Sequence, residues 1–372
     1  MASEYIFSEE QQALRTAVRK FCADNYAEDT VRRLMESEPR YDRAVWRRLG
    51  SELGVLGMSV PEDDGGVGGT LVDQAVAVEQ FGATLACGPL FGTVYLAIPA
   101  LVACPAGDAR DELLGALVEG ERTAAFEPKP VSVSGGTLTG TAPRVVDADA
   151  ADVLLIAGSG PEGLGLYAVD LNGLGVQRDS LVTLDLTRPQ AKVVLDGAPG
   201  TLLAGPADAE RVITHALQVG AALLAVEQVG AAQHLLDLSV EYAKSRLQFG
   251  RQIGSFQAIK HKLADMLVDV EHARSAAYHA VWALSDGSDD PELVTSIAQA
   301  ISSAAFSRIA ADTIQVHGGI GFTWEHQAHL YFKRAATDAA LLGSAEHHRS
   351  RVADLVLDTA IAQSGAVAVA AG

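Results

Sequence analysis

The sequence has only three cysteines, Cys22, Cys87 and Cys104, among 372 residues, too few and too irregularly spaced for a disulfide framework or a zinc knuckle. A reducing, cytoplasmic setting is the expectation. Basic residues are scarce as well: 28 lysines and arginines stand against 47 acids, a net charge of −19, and such a surface repels nucleic-acid phosphates and anionic leaflets. The first fifteen residues are acidic and lack the basic and apolar segments of a secretory signal. No long hydrophobic run is unbroken: the most apolar, residues 219–236, carries Glu227, Gln228, Gln233 and His234, which a membrane span would have to desolvate. No G-x-G-x-x-G follows a strand-like run, which argues against a parallel dinucleotide-binding sheet. His347 and His348 are adjacent, not three or four apart as a helical metal pair requires, so no metal is expected.

What is present suffices for a large folded core, since 48% of residues are hydrophobic and 20% charged. At ~150 residues per domain the length predicts two or three domains. Residues 1–122 read as helical: Ser8, Glu9, Glu10 and Gln11 form a cap signal, and Leu14, Val18 and Phe21 follow at helical spacing. Residues 60–69 break the pattern with one proline and four glycines, and a further helix is expected over 71–81. Between 123 and 205 the text changes to short β-type runs bounded by Gly, Pro, Asp or Ser, predicting a small antiparallel sheet. From 206 to 372 helical periodicity returns, with Leu223, Val226, Val229, Leu236 and Val240 on one face and Ile259, Leu263, Met266 and Val270 on another. The alanine-rich stretch 360–372 is expected to fray or pack weakly. Helices, then strands, then helices describe an α+β, multi-domain chain.

Residues 241–259, reading EYAKSRLQFGRQIGSFQAI, resemble a C-terminal signature of the acyl-CoA dehydrogenase family. Residues 315–322, QVHGGIGF, with Trp324, Glu325 and His326 after them, resemble that family's second signature. With the 60–69 loop and the helix–sheet–helix layout, the likeness spans almost the whole chain. It implies an N-terminal helical domain, a small middle β domain, a C-terminal four-helix bundle and FAD as cofactor. By motif match, Arg246, Phe249, Gln257, Gln315, Gly318 and Gly319 would bind the FAD of a neighbouring subunit. Physical chemistry agrees: Arg246 offers a planar cation to a pyrophosphate, Phe249 an apolar face, and the glycine pair a close backbone approach. Outside that context Arg246 reads as a cation at a helix end, Phe249 as core, and the glycines as a helix stop. His317 reads as a hydrogen-bonded structural residue.

The family's reaction needs a carboxylate in a dry pocket to take the substrate's α-proton while the β-hydrogen leaves as hydride. In most members that glutamate follows the second signature. Here its slot falls on Leu342, or on Gly343 if the gap moves, and the alternative slot on the helix before Arg246 falls on Gly220, with Ala221 beside it. The segments that usually cover the flavin ring, here around Phe126-Glu127-Pro128 and residues 143–148, also depart from the family pattern. Three acids lie near the empty slots. Glu227 is two turns, roughly 10 Å, from Gly220 and reads as a buried, paired glutamate, whereas Asp338 and Glu346 read as helix-surface carboxylates. His347 and His348 are expected on a solvated face.

The expectation is therefore a subunit of a mixed α2β2 assembly acting on an acyl-CoA thioester, with FAD and base in the companion and an electron-transfer flavoprotein as acceptor. A self-sufficient homotetramer with an unorthodox base, a monooxygenase of this architecture and a non-catalytic structural homologue remain open. The acyl chain, and coenzyme A against an acyl-carrier protein, are not legible.

Overall fold

The computed structural model describes residues 6–370, with side chains to Leu357. Helices come first: α1 (Glu9–Asn25), α2 (Glu28–Leu34), α3 (Arg43–Ser51), α4 (Leu71–Thr84), a π-helical segment (Leu90–Ala97) that runs into α5 (Ile98–Ala103), and α6 (Asp108–Val118). α1 starts where the sequence signals it. Ser8 Oγ accepts from the Gln11 N–H at 3.2 Å while the Gln11 side chain accepts from the Ser8 N–H at 3.1 Å, so two otherwise orphaned donors are satisfied reciprocally. Thr70 and Asp73 build the same box at the start of α4.

Seven strands follow, β1 (Ala124–Ser134), β2 (Thr137–Val146), β3 (Val153–Gly160), β4 (Gly163–Asp170), β5 (Val176–Ser180), β6 (Gln190–Pro199) and β7 (Thr201–Ala204), in the order β5-β6-β2-β1-β3-β4-β7. The sheet is not wholly antiparallel as expected: β1 and β3 run parallel, with Ala124 opposite Val153. The β1–β2 hairpin brings the end of β2 back beside the start of β1, and the short connection 147–152 then delivers β3 to the other edge of β1 at that same end. Asp152 secures the delivery, its carboxylate accepting from the Thr123 N–H at 2.9 Å. β3 is covered on both faces, since Leu154 and Ile156 enter the sheet's own core while Val153, Leu155 and Ala157 enter the core shared with the helices.

The last block is helical: α7 (Ala209–Ser245), a two-residue hairpin pair β8 (Leu247–Gln248) and β9 (Arg251–Gln252), then α8 (Gln257–Asp286), α9 (Pro291–His317), α10 (Ala328–Asp338) and α11 (Ala345–Ala370). α7 and α9 run in the same direction, tied by Gln299 Nε2 to the Ala221 carbonyl at 2.6 Å and by Ser239 to Thr313 at 3.2 Å. Length and composition would let α7 cross a membrane, but 78% of its apolar window is buried within the protein, which makes it the core helix. Leu223, Val226, Val229, Leu236, Met266 and Val270 are buried, and Val240, Ile259 and Leu263 partly so. α7 crosses α4 at two glycines, where a Cβ on Gly82 would lie 2.0 Å from the Glu227 carbonyl oxygen and one on Gly230 1.9 Å from that of Glu79. The packing expected of residues 360–372 lies outside the described side chains.

Candidate functional site

Two clusters matter, one on the surface and one buried. The surface cluster forms where α7 and α9 end together. Arg246 follows the last turn of α7, its N–H donating to the Tyr242 carbonyl at 2.8 Å and its own carbonyl accepting from Ile253 at 2.9 Å, which closes the β8–β9 hairpin beneath it. Phe249 sits at the hairpin tip with φ 52° and is 90% exposed, so it is not a core residue; its ring meets Phe256 edge-on at 6.0 Å. The Arg251 guanidinium lies over the Phe256 ring at 4.0 Å. Gln257 opens α8, and Gln315 is exposed on the last turn of α9. Gly318 turns the chain at φ 64°, ψ −142°, a conformation open essentially to glycine alone, and a Cβ on Gly318 or Gly319 would meet nothing within 4 Å.

All six residues singled out in the sequence are thus exposed. The two segments are joined by Tyr242, whose ring stacks on His317 at 4.3 Å. His317 is the hydrogen-bonded residue expected, its Nδ1 2.8 Å from the Thr313 carbonyl. Unfilled space above a glycine pair, beside an exposed guanidinium and two side-chain amides, suits the phosphate end of a flavin nucleotide.

The buried cluster seals the crevice between the sheet and the bundle. From the loop joining β5 to β6, Arg188 Nη2 donates to both Glu227 oxygens at 2.5 and 2.6 Å, and its Nη1 to Asp338 Oδ1 at 3.0 Å. From α10, Arg334 donates to Asp185 Oδ2, Glu227 Oε1 and Thr187 Oγ1, each at 2.6 Å. Thr187 in turn donates its N–H and hydroxyl to Asp185 Oδ1 at 2.8 and 2.6 Å. Every member is buried. Burial pushes the Glu227 carboxyl up, but Arg188 and Arg334 more than offset it and hold the group at about 2. Asp338 goes the other way: burial, with repulsion from Glu227, outweighs Arg188 and lifts it to about 7, and its Oδ2 has no partner. Asp147, at the end of β2, is likewise raised to about 7 by burial although it accepts from the Gly92 N–H at 2.8 Å.

Both base slots carry apolar residues in contact with their neighbours. A Cβ on Gly220 would lie 2.5 Å from Leu96 Cδ2 of the π-helical segment, so a larger side chain there would have to displace Leu96. Leu342, at φ 56°, packs partly buried against the main core, and Gly343 follows at φ 112°. Glu346 is the surface carboxylate expected, paired with Arg349 at 3.5 Å. Asp338 is not: only 1% is exposed, because its face of α10 turns towards Arg188 and not to solvent. His348 departs from expectation too, being buried with Nε2 3.1 Å from the Leu342 carbonyl, while His347 is exposed. Glu127 is buried with its pKa raised by burial, and it accepts from the Lys129 N–H at 2.9 Å. A cleft of about 370 Å³ between α8, α9 and α11, lined by Ile301, Arg308, Arg349 and others, shares no residue with either cluster. Sequence reasoning passed over Asp185, Arg188 and Arg334, whose one local signal is charge set among apolar neighbours.

Comparison with known proteins fits this geometry. Residues 8–121 match the family description "Acyl-CoA dehydrogenase, N-terminal domain" and residues 210–357 match "Acyl-CoA dehydrogenase, C-terminal domain". The chain is 36% identical over 338 residues to the acyl-CoA dehydrogenase IpdE2 of Mycolicibacterium smegmatis, covering 90% of this chain and 95% of that one. Among solved structures it is similar to a variant of the Tcur3481-Tcur3483 steroid ACAD, with 29% identity, TM-score 0.86, and 95% and 99% of the two chains covered. It is also similar to the ChsE4-ChsE5 complex from Mycobacterium tuberculosis, with 27% identity, TM-score 0.87 and the same coverage.

Proposed function

This chain belongs to the acyl-CoA dehydrogenase family, flavoprotein oxidoreductases that use FAD and act on CH–CH bonds, and from that premise we propose that it is the base-less subunit of a heteromeric acyl-CoA dehydrogenase. One observation carries the reading: neither position where the family places its base carries a group that can take a proton, Leu342 being an apolar side chain packed against the core and Gly220 having none and lying against Leu96, while Glu227 is locked between two arginines. When bound, FAD supplies the hydride acceptor. The exposed half-site is what this chain contributes: Arg246 would clamp the pyrophosphate, Gln257 and Gln315 would hydrogen-bond the nucleotide, Phe249 would cover its apolar part, and Gly318–Gly319 would let it approach the backbone. The companion chain would then seat the ring, bind the acyl-CoA thioester and hold the carboxylate that takes the α-proton, passing electrons to an electron-transfer flavoprotein. A similar structure described as a complex of ChsE4 with ChsE5 supports a mixed assembly of this kind.

The raised carboxyls of Asp338 and Asp147 would favour a self-sufficient enzyme. Both are buried, Asp338 accepting from Arg188 and Asp147 from the Gly92 N–H, so neither is presented to a substrate carbon. Expressing the chain alone and together with a companion acyl-CoA dehydrogenase subunit from the same host decides the matter. Alone it should purify without stoichiometric FAD and dehydrogenate no thioester, its half-site binding a nucleotide only weakly; together, the pair should hold one FAD per two chains and turn over. Stoichiometric FAD and full dehydrogenation in the isolated chain would refute the proposal.

A further inference from the structure

The nucleotide-facing residues lie on two segments far apart in the chain, Arg246 to Gln257 and Gln315 to Gly319, and a clamp of this kind works only if both halves stay in register. We infer that His317 is the positioning residue that holds them so. The inference rests on the nucleotide-holding reading above and names the side chain on which that reading depends. His317 ends α9, and the glycine-only turn at Gly318 starts from it, so the placement of His317 fixes where the glycine pair points. Although Gln315, Gly318 and Gly319 around it are exposed, His317 itself is only 4% exposed.

The ring contacts three elements. It stacks on Tyr242 at 4.3 Å and 29°, and Tyr242, in the last turn of α7 before Arg246, donates its hydroxyl to the His317 carbonyl at 3.5 Å. It meets His326 at 4.3 Å and 44°; His326 Nδ1 accepts from the Ala328 N–H at 3.1 Å, which pins that ring to the start of α10. Its own Nδ1–H donates to Thr313 within α9, leaving Nε2 as an unprotonated nitrogen that is buried and without a partner. Only the neutral imidazole suits this place. A proton on Nε2 would be a buried donor with no acceptor, and it would set a charge against His326, itself near Arg32 and Glu28 of α2. Burial accordingly keeps His317 below the ordinary histidine value.

ADP, which carries the pyrophosphate and adenosine of the flavin nucleotide, tests this on the isolated chain by equilibrium dialysis between pH 5 and 8, with folding of each variant checked by circular dichroism. Arg246→Ala should weaken ADP binding about tenfold, as expected for a charge-assisted clamp. His317→Ala, which leaves every proposed contact residue in place, should weaken it by a similar factor, and His317→Phe, which restores a flat ring between Tyr242 and His326, should recover most of it. Wild-type binding should fall as pH drops through the His317 pKa, more steeply than binding by the Phe variant. A folded His317→Ala protein that binds ADP like wild type overturns the inference. If the Ala variant does not fold, the Phe variant decides, and an acid fall identical to wild type overturns the inference. Wild-type chain that binds no ADP, or an Arg246→Ala variant that binds as well as wild type, instead overturns the nucleotide half-site itself and this inference with it.

Discussion

Replacing Glu227 by Gln separates a structural lock from a catalytic base. The substitution keeps shape and volume, so what it removes is charge. In the folded chain the carboxyl sits at about 2 against an ordinary 4.5, a difference worth about 3 kcal/mol at neutral pH. An independent route gives a similar figure: removing one partner of a buried ion pair costs about 3–5 kcal/mol, because Arg188 and Arg334 would keep their charges while buried and short of a counter-charge. At roughly 2–4 °C per kcal/mol for a large cooperative unit, a loss of about 3 kcal/mol should lower the melting temperature at pH 7 by about 6–12 °C. The sign of the pH dependence follows from a depressed carboxyl. Its contribution is present above the unfolded value and is lost as pH falls towards the folded one, so the wild-type and variant melting curves should converge between about pH 4 and pH 2. Differential scanning calorimetry across that range reads it directly. In the assembled enzyme, below the melting temperature, Glu227→Gln should leave α-proton exchange on the thioester unchanged. A variant that melts like wild type but no longer supports exchange would make Glu227 the base and refute the reasoning.

Three further perturbations follow from the same geometry. Asp338 is raised to about 7, so wild-type stability should decline as pH rises from its unfolded value of 3.8 to about 7, by up to about 4 kcal/mol; Asp338→Asn should flatten that part of the melting-temperature curve, and an unchanged slope would show that Asp338 is not the group responsible. Gly230→Ala should destabilise the fold by about 1–3 kcal/mol or more, because its Cβ would lie 1.9 Å from a backbone oxygen of α4 and force the two helices apart; a neutral effect in urea unfolding would contradict the close crossing. Leu342→Glu places a carboxylate in the family's base slot yet should confer no dehydrogenation on the isolated chain, since that chain is proposed to hold only half of the nucleotide site; any gain of thioester turnover would show that a base was all it lacked.

Much of the layout was legible because it is local. The capping box at Ser8, the helix after the 60–69 loop, the strands between Gly and Pro breaks and the long periodic helices each declare themselves within a few residues. The parallel β1–β3 pair does not, because its direction is set by where a connecting turn delivers the chain and not by any pattern inside either strand. The π-helical segment also went unread; its buried apolar residues carry no mark distinguishing it from an α-helix. Asp338 was misjudged for a related reason: spacing shows which residues share a face of α10, not which face meets the interior. The base slots were legible as lost because glycine and leucine cannot titrate, but what packs against them, Leu96 at one and the main core at the other, is set by the tertiary fold.

The buried network explains why the two clusters belong to one device. An apolar filling of the same crevice would hold the sheet to the bundle at least as firmly, since paired charges forfeit much of their attraction to desolvation. Guanidinium forks add direction. Arg188, carried by the loop between β5 and β6, can reach Glu227 of α7 and Asp338 of α10 together in only a narrow range of placements, and Arg334 repeats the constraint from α10 back to Asp185 and Thr187. The sheet, α7 and α10 are therefore held in one register. α7 then leads to Tyr242 and Arg246, while α10 begins beside His326, which meets His317 at the start of the glycine turn. A crevice closed by directional charge pairs at one end thus steadies, through two helices, the exposed surface of Arg246, Gln315 and the glycine pair at the other.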